Sequence, residues 1–216
     1  MIVAGAKGLA KELLEIFLQR NALHNLYFFD NVSQDLSEKL FNRFFVIRSF
    51  DSALQIFNES GDPSFCLGLG NPVLRHKLCH QFLDIGGNLT SVLSPKADIG
   101  HFDTTLGPGC CILDGVVITS NVQLGRGCLV NPNATISHDC QLGDFVEVSP
   151  GVNVTGNCSI GAFYFLGSNS VILPKVRVGK NLVVGAGAVV TKDIPDNCMV
   201  LGIPAVVKKK LPPLNI

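Results

Sequence analysis

The chain has 216 residues, with 17 Lys and Arg set against 17 Asp and Glu and 47% hydrophobic residues. That length holds one large domain or two small ones, and the balanced charge argues against a nucleic-acid or anionic-membrane partner. The eight cysteines do not read as a disulfide framework, because so long and aliphatic a chain does not need one.

The opening MIVAGAKGLAKELLEIF carries glycines and charges where a signal peptide needs an unbroken apolar core. No stretch is long and apolar enough to span a membrane, and both absences point to the cytoplasm. Residues 1–5 read as a short buried strand. An amphipathic helix follows, with Leu9, Leu13, Leu14, Ile16 and Phe17 on one side. LYFFD is a second strand ending on Asp30, FFVI at 44–47 a third and DSALQIF a short helix. SFCLGLG is a fourth strand, and a helix runs from about Pro72 to Leu83. Alternating strand and helix predict a small Rossmann-like parallel α/β domain over residues 1–88. Gly5 and Gly8 lie between the first strand and its helix, but G-A-K-G-L-A lacks the full G-x-G-x-x-G pattern. Glycines and a helix start at a strand's carboxyl end still suit a phosphate. Asp30 and Gly70-Asn71 close strands on the same rim, and a purely structural set of turns is the alternative. His76 to His80, HKLCH, has metal-like i,i+4 spacing that a solvent-facing helix surface also explains.

From Leu106 an aliphatic residue recurs at every sixth position up to Val190, without a miss. A second register four residues on holds small or β-branched residues, including Cys110, Cys128, Cys140 and Cys158. Two inward positions per six residues describe a short strand followed by a corner. Gly107, Gly125, Gly143, Gly161 and Gly179 recur every eighteen residues, where the backbone needs either φ > 0 or a close approach. Eighteen residues therefore make one coil of three strands, and residues 89–216 form a three-sided parallel β-prism. Leu93 and Ile99, with a one-residue slip, supply an imperfect first coil. The inward cysteines read as small core hydrophobes; a disulfide between stacked pairs is conceivable but disfavoured in a reducing compartment. GIPAVV should fold the chain back over the open end of the prism. The lysines at 208–210, the only basic run, read as a solvated tail, with a phosphate contact as the alternative.

His138-Asp139, in NATISHDCQLGDF, lies two residues past the inward Ile136, at a corner. It reads either as an exposed polar pair or as a base with its orienting acid.

An α/β domain opening G-A-x-G, hexapeptide coils containing SHDCQLGDF and a terminal GIPAVVKK together resemble the NeuD/PglD-type sugar acyltransferases. The resemblance covers essentially the whole chain. It implies a left-handed parallel β-helix, a homotrimer with active sites between neighbouring prisms and acetyl-CoA as donor. The acceptor it implies is the 4-amino group of a nucleotide-linked deoxy sugar, for surface glycan synthesis. His138 would take the proton, Asp139 would raise its basicity and the Gly156 N–H would face the thioester carbonyl. Coenzyme A would meet Glu147, Gly167, Ser168, Gly185 and Ala186. The nucleotide sugar would meet Lys7, Gly8, Leu9, Asp30, Asn31 and Gly70. The chain departs from the family pattern in having Leu9 for a histidine, Ala10 for a glycine and Glu147 for a second histidine.

The chemistry agrees with these roles. An amine must lose a proton as it attacks a thioester, and imidazole has the pKa for that near neutrality. A neighbouring carboxylate fixes the tautomer. Gly156 is one coil from His138, roughly 4.8 Å away by strand spacing. Three readings compete: a zinc-dependent β-helix enzyme, a non-catalytic nucleotide-binding solenoid, and an O-acetyltransferase of the sialic acid type. Only His101 and His138 lie near the coils, on different levels, so no metal is expected.

Overall fold

The computed structural model describes residues 1–214. Strands β1 (Ile2–Ala4), β2 (Tyr27–Phe29), β3 (Lys39–Leu40), β4 (Phe44–Ile47), β5 (Ser64–Leu67) and β6 (Asn88–Leu89) form one sheet. Their order is β3-β4-β2-β1-β5-β6. Helices α1 (Gly8–Gln19), α2 (Phe50–Ser60) and α3 (Pro72–Asp84) connect them. All pairs are parallel except β3–β4. Central β1 is wholly buried, as the run Ile2-Val3-Ala4 requires of a parallel strand covered on both faces. The ends of α2 and α3 are set locally. Ser49 accepts from the Ser52 amide and Gly61 closes α2 at φ 63°, while Asn71 accepts from the Leu74 amide with Pro72 just inside. Two strands lie outside the sequence reading. β3 turns back on β4 as a two-residue hairpin arm, and β6 carries the sheet to Leu89.

The second part is a hexapeptide-repeat parallel β-helix whose three faces hold eight, six and five strands. Each coil pairs with the next eighteen residues on, as in Val117↔Thr135↔Asn153. The aliphatic series points inward, and Ile112, Val130, Ile136, Val148, Val154 and Leu166 are fully buried. The second inward register is buried as well, from Cys110 to Ala188. All eight cysteines are free and buried. The first coil carries the extra residue between Asp98–Ile99 and Thr105–Leu106.

Of the two reasons for the eighteen-residue glycines, close approach holds. A Cβ on Gly107 would sit 2.6 Å from the Gly125 carbonyl carbon, and one on Gly125 2.6 Å from that of Gly143. Positive φ falls elsewhere, three residues before each inward aliphatic from Leu106 to Val190, at every sixth residue from Asp103 to Gly187. Asn, Asp and Gly fill most of these positions because they enter the left-handed region at least cost. Phe145, Phe163 and Lys175 are the exceptions.

The last coil differs from expectation in detail. Cys198–Leu201 pairs in parallel with Leu182–Val184, and Val206–Lys210 returns antiparallel along its edge. Lys208, Lys209 and Lys210 are therefore the end of an edge strand and not a solvated tail. Charges there oppose pairing with another chain.

The two parts share their cores. Leu13, Phe17 and Phe28 continue into Val92, Cys111 and Leu129 on the outer side of the eight-stranded face. Phe29, Phe65 and Phe82 continue into Phe145 at a prism corner. No helix among the described residues is long and apolar enough to cross a membrane.

Candidate active site

His138 follows the strand Thr135–Ile136, on the edge between the six-stranded and five-stranded faces. Its Nδ1 lies 2.7 Å from Asp139 Oδ2, and the two side chains are 57% and 42% exposed. Asp139 stands at φ 59°, which swings its carboxylate back toward the imidazole. Its other oxygen accepts from Asn121 Nδ2 at 2.7 Å, one coil below. The bonds from His138 and Asn121 hold the Asp139 carboxyl below its ordinary range. An ionised carboxylate only accepts, so Nδ1 carries the hydrogen and Nε2 keeps the lone pair of a base.

The imidazole lies against Gly156. A Cβ there would come within 2.6 Å of Cε1 and Nε2, so only glycine leaves room for the ring. No acceptor among the described residues bonds the Gly156 amide, whereas the next amide, Asn157, donates to the His138 carbonyl at 2.9 Å. A base and a free N–H thus stand one coil apart. Gly156→Ala should cost on the order of 100-fold in turnover by displacing the ring, with little change in Tm. Steady-state rates and a melting curve check this.

On the α/β part, a cavity of about 340 Å³ is lined by Lys7, Gly8 and Leu9 at the start of α1, by Asp30 and Asn31 after β2, and by Gly70 after β5. The nucleotide-side residues named from the sequence are thereby gathered on one rim. Lys7 has no side-chain capping bond over α1 and pairs with exposed Asp35 at 3.5 Å. Asp30 Oδ1 accepts from the amides of Val32 and Ser33, at 3.0 and 2.8 Å. Partial burial pushes the Asp30 carboxyl up, but those amides and the Arg48 cation outweigh it and the net shift is downward.

A second cavity, of about 390 Å³, shares Gly70 with the first and reaches the prism at Glu147, Phe163 and Phe165. Glu147 keeps 9% of its exposure. Burial raises its carboxyl to about 7 against the opposing pull of Arg75. Because that pKa stands above the ordinary 4.5, the folded chain holds a proton that the unfolded chain releases. Its contribution to stability is full below pH 4.5 and is lost as pH rises through about 7. Melting curves across this window should fall for the wild type and flatten for Glu147→Gln.

Arg75 escaped the sequence reading. It is 1% exposed and holds the parts together. Nε donates to the Gly127 carbonyl at 3.1 Å, Nη2 to the carbonyls of Phe145 and Val146 at 3.0 Å each, and Nη1 to the Gly70 carbonyl. Nη1 also lies 3.6 Å from Glu147 Oε2. A signal was available: Arg75 shares the buried stripe of α3 with Pro72, Cys79 and Phe82, where a cation needs a partner. The solvent-facing reading of His76 is corrected. Its ring packs edge-on to Phe145 and Phe163, at 5.1 and 5.3 Å, and next to His80 at 4.4 Å.

Gly167-Ser168 and Gly185-Ala186 form one corner of successive coils, where the Gly187 amide donates to the Ser168 carbonyl at 2.9 Å. That edge, between the eight-stranded and six-stranded faces, is not the edge of His138. Glu147 opens a strand on the eight-stranded face beside Gly70. One chain therefore joins Glu147 to the nucleotide rim, and His138 to Asp139 and Gly156, but does not join these two groups to each other or to the Ser168 corner.

The sequence profile described as PglD N-terminal domain matches residues 1–82, and that of the bacterial transferase hexapeptide (six repeats) matches 103–138, 121–156 and 157–192. A histidine-to-asparagine variant of perosamine N-acetyltransferase from Caulobacter crescentus, solved with CoA and GDP-perosamine, superposes with a TM-score of 0.87 at 28% identity, over 97% of this chain and 96% of that one. The acetyltransferase domain of PglB from Neisseria gonorrhoeae, solved with acetyl coenzyme A, gives 0.85 at 28% identity, over 96% and 98%. A galactoside O-acetyltransferase of Lactococcus lactis is 55% identical over 47 residues, which is 22% of this chain and 23% of that protein. The chain thus spans under a quarter of that curated relative. Family profiles at both ends and whole-length structural likeness between them agree: the chain belongs to the NeuD/PglD-type family of hexapeptide-repeat, left-handed β-helix sugar acyltransferases.

Proposed function

We propose that the protein transfers the acetyl group of acetyl-CoA to the 4-amino group of a nucleotide-linked deoxy amino sugar. The observation that carries the reading is the imidazole held by Asp139 against the free amide of Gly156. The acceptor nitrogen attacks the thioester carbon and the carbonyl electrons move to oxygen, where the Gly156 N–H stabilises them. His138 Nε2 takes the proton from the attacking nitrogen. Collapse expels the thiolate of coenzyme A, which recovers that proton from the imidazolium. Asp139 stays ionised and holds the imidazolium by its Nδ1–H. No cysteine is used, since all eight are buried.

The nucleotide occupies the rim between Gly8, Asp30 and Gly70, with its phosphates toward the start of α1. Coenzyme A runs along the Ser168–Ala186 corner. The base edge and the donor edge are different edges of one prism, so a complete site takes one edge from each of two copies, and a homotrimer closes three such sites. Two whole-length structural neighbours hold CoA or acetyl coenzyme A, and one holds GDP-perosamine, which supports both substrates. The local likeness to a galactoside O-acetyltransferase favours a hydroxyl acceptor as the second reading.

The test is incubation with acetyl-CoA and UDP-, GDP- and dTDP-linked 4-amino sugars, beside their 4-hydroxy counterparts, with products read by mass spectrometry. One amino sugar should gain an acetyl group. Acetylation of the hydroxyl series alone would select the second reading, and no product with any acceptor would overturn both.

A further inference from the structure

Glu147 is a charged group that the transfer chemistry leaves unused. It is 9% exposed, Arg75 is its ionic partner, and it lines the cavity that joins the nucleotide rim at Gly70. The guanidinium of Arg75, 3.6 Å away, faces it from the protein side and fixes its place. Among the described residues it is the single ionisable side chain on that cavity, whose other walls include Phe163 and Phe165. A carboxylate in a cavity that aromatic side chains also line is a setting for a cation.

A sugar amine reaches the enzyme chiefly as its ammonium form, which has no lone pair for attack. Two protons must leave before the amide is formed, and His138 accounts for one. Resting on the function proposed above, we infer that Glu147 is the group that recognises the acceptor's ammonium and accepts its first proton. In that step the N–H bond breaks, its electron pair stays on nitrogen as the attacking lone pair, and the proton forms an O–H bond on Glu147. The products are the neutral amine and the neutral acid. Attack on the thioester follows, the His138 that a neighbouring copy brings to the shared site takes the second proton, and Glu147 releases its own to water as product leaves. Burial, which brings the carboxyl to about 7, makes it able to take a proton near neutrality. A hydroxyl acceptor carries no such charge, so Glu147 selects amines.

The test is calorimetric binding of matched nucleotide-linked 4-amino and 4-hydroxy sugars, and of coenzyme A alone, to the wild type, Glu147→Gln and Glu147→Asp. The wild type should prefer the amino sugar by at least ~10-fold, the scale of one charge-assisted hydrogen bond. Glu147→Gln should reduce the preference to within ~2-fold, with Glu147→Asp between wild type and Glu147→Gln. An undiminished preference in Glu147→Gln, or a loss confined to coenzyme A, would overturn the inference while leaving acetyl transfer standing. So would a wild type that binds both sugars alike, a result that does not depend on any variant folding. A wild type that binds no nucleotide sugar sinks the proposed function and this inference together.

Discussion

His138→Ala is expected to lower kcat by ~100- to 10,000-fold, the range of general base catalysis, while the melting temperature stays put. The ring is 57% exposed and its contacts are to Asp139 and to bare Gly156, so its removal opens no cavity in the core. KM values for both substrates should change little, because the base acts on the proton of the attacking nitrogen and not on ground-state binding. Asp139→Asn supplies the control. Its amide presents either a carbonyl or an NH2 to Nδ1, and the NH2 form forces the hydrogen onto Nε2, which can then no longer accept a proton. A rate within a fewfold of wild type for His138→Ala would remove the imidazole from the mechanism.

Arg75→Met should be the most destabilising single change in the α/β part. The guanidinium serves the carbonyls of Gly70, Gly127, Phe145 and Val146 as well as Glu147. Methionine fills much of its volume but leaves those acceptors and the carboxylate unpaired in a buried place. Removing one partner of such a buried ionic cluster costs ~3–5 kcal/mol. For a chain of this length that lowers Tm by on the order of 10 °C. Arg75→Lys should recover only a small part, since an ammonium cannot span carbonyls arranged around a planar fork. Calorimetric scans of the two variants decide it, and a Tm within 2 °C of wild type, on the same scale, would contradict the role given to Arg75.

The prism was legible because each coil repeats the same demand. An aliphatic residue every sixth position has one use, and fifteen successive strands cannot hide it. The α/β domain was legible from strand–helix alternation and from glycines at a strand end. What escaped lies where the two parts meet, and such contacts have no period. Arg75 hydrogen-bonds to residues 52, 70 and 71 positions away. His76 stacks on Phe145 and Phe163, whose φ values of 55° and 58° break the Asn/Asp/Gly habit of the corners. Those aromatic exceptions mark the contact, but the mark is readable only once the left-handed position in each hexad is known. The eighteen-residue glycines stand out in sequence, and the distance between neighbouring coils is what decides between their two causes. The Lys208–Lys210 run reads as a tail in sequence because charge alone does not distinguish a free end from the rim of a sheet.

The returning hairpin bears on how the molecule behaves in a crowded solution. A β-solenoid is a template for its own continuation, since each coil offers the next a full row of amides and carbonyls. With Val206–Lys210 laid across the last rung, a second column approaching from that side meets a short antiparallel edge that ends in three ammonium groups instead of a bare parallel rung. Cutting the chain before Val206 would bare the Cys198–Leu201 rung. The particles would then be free to join head to tail into filaments, which light scattering would register long before any loss of catalysis.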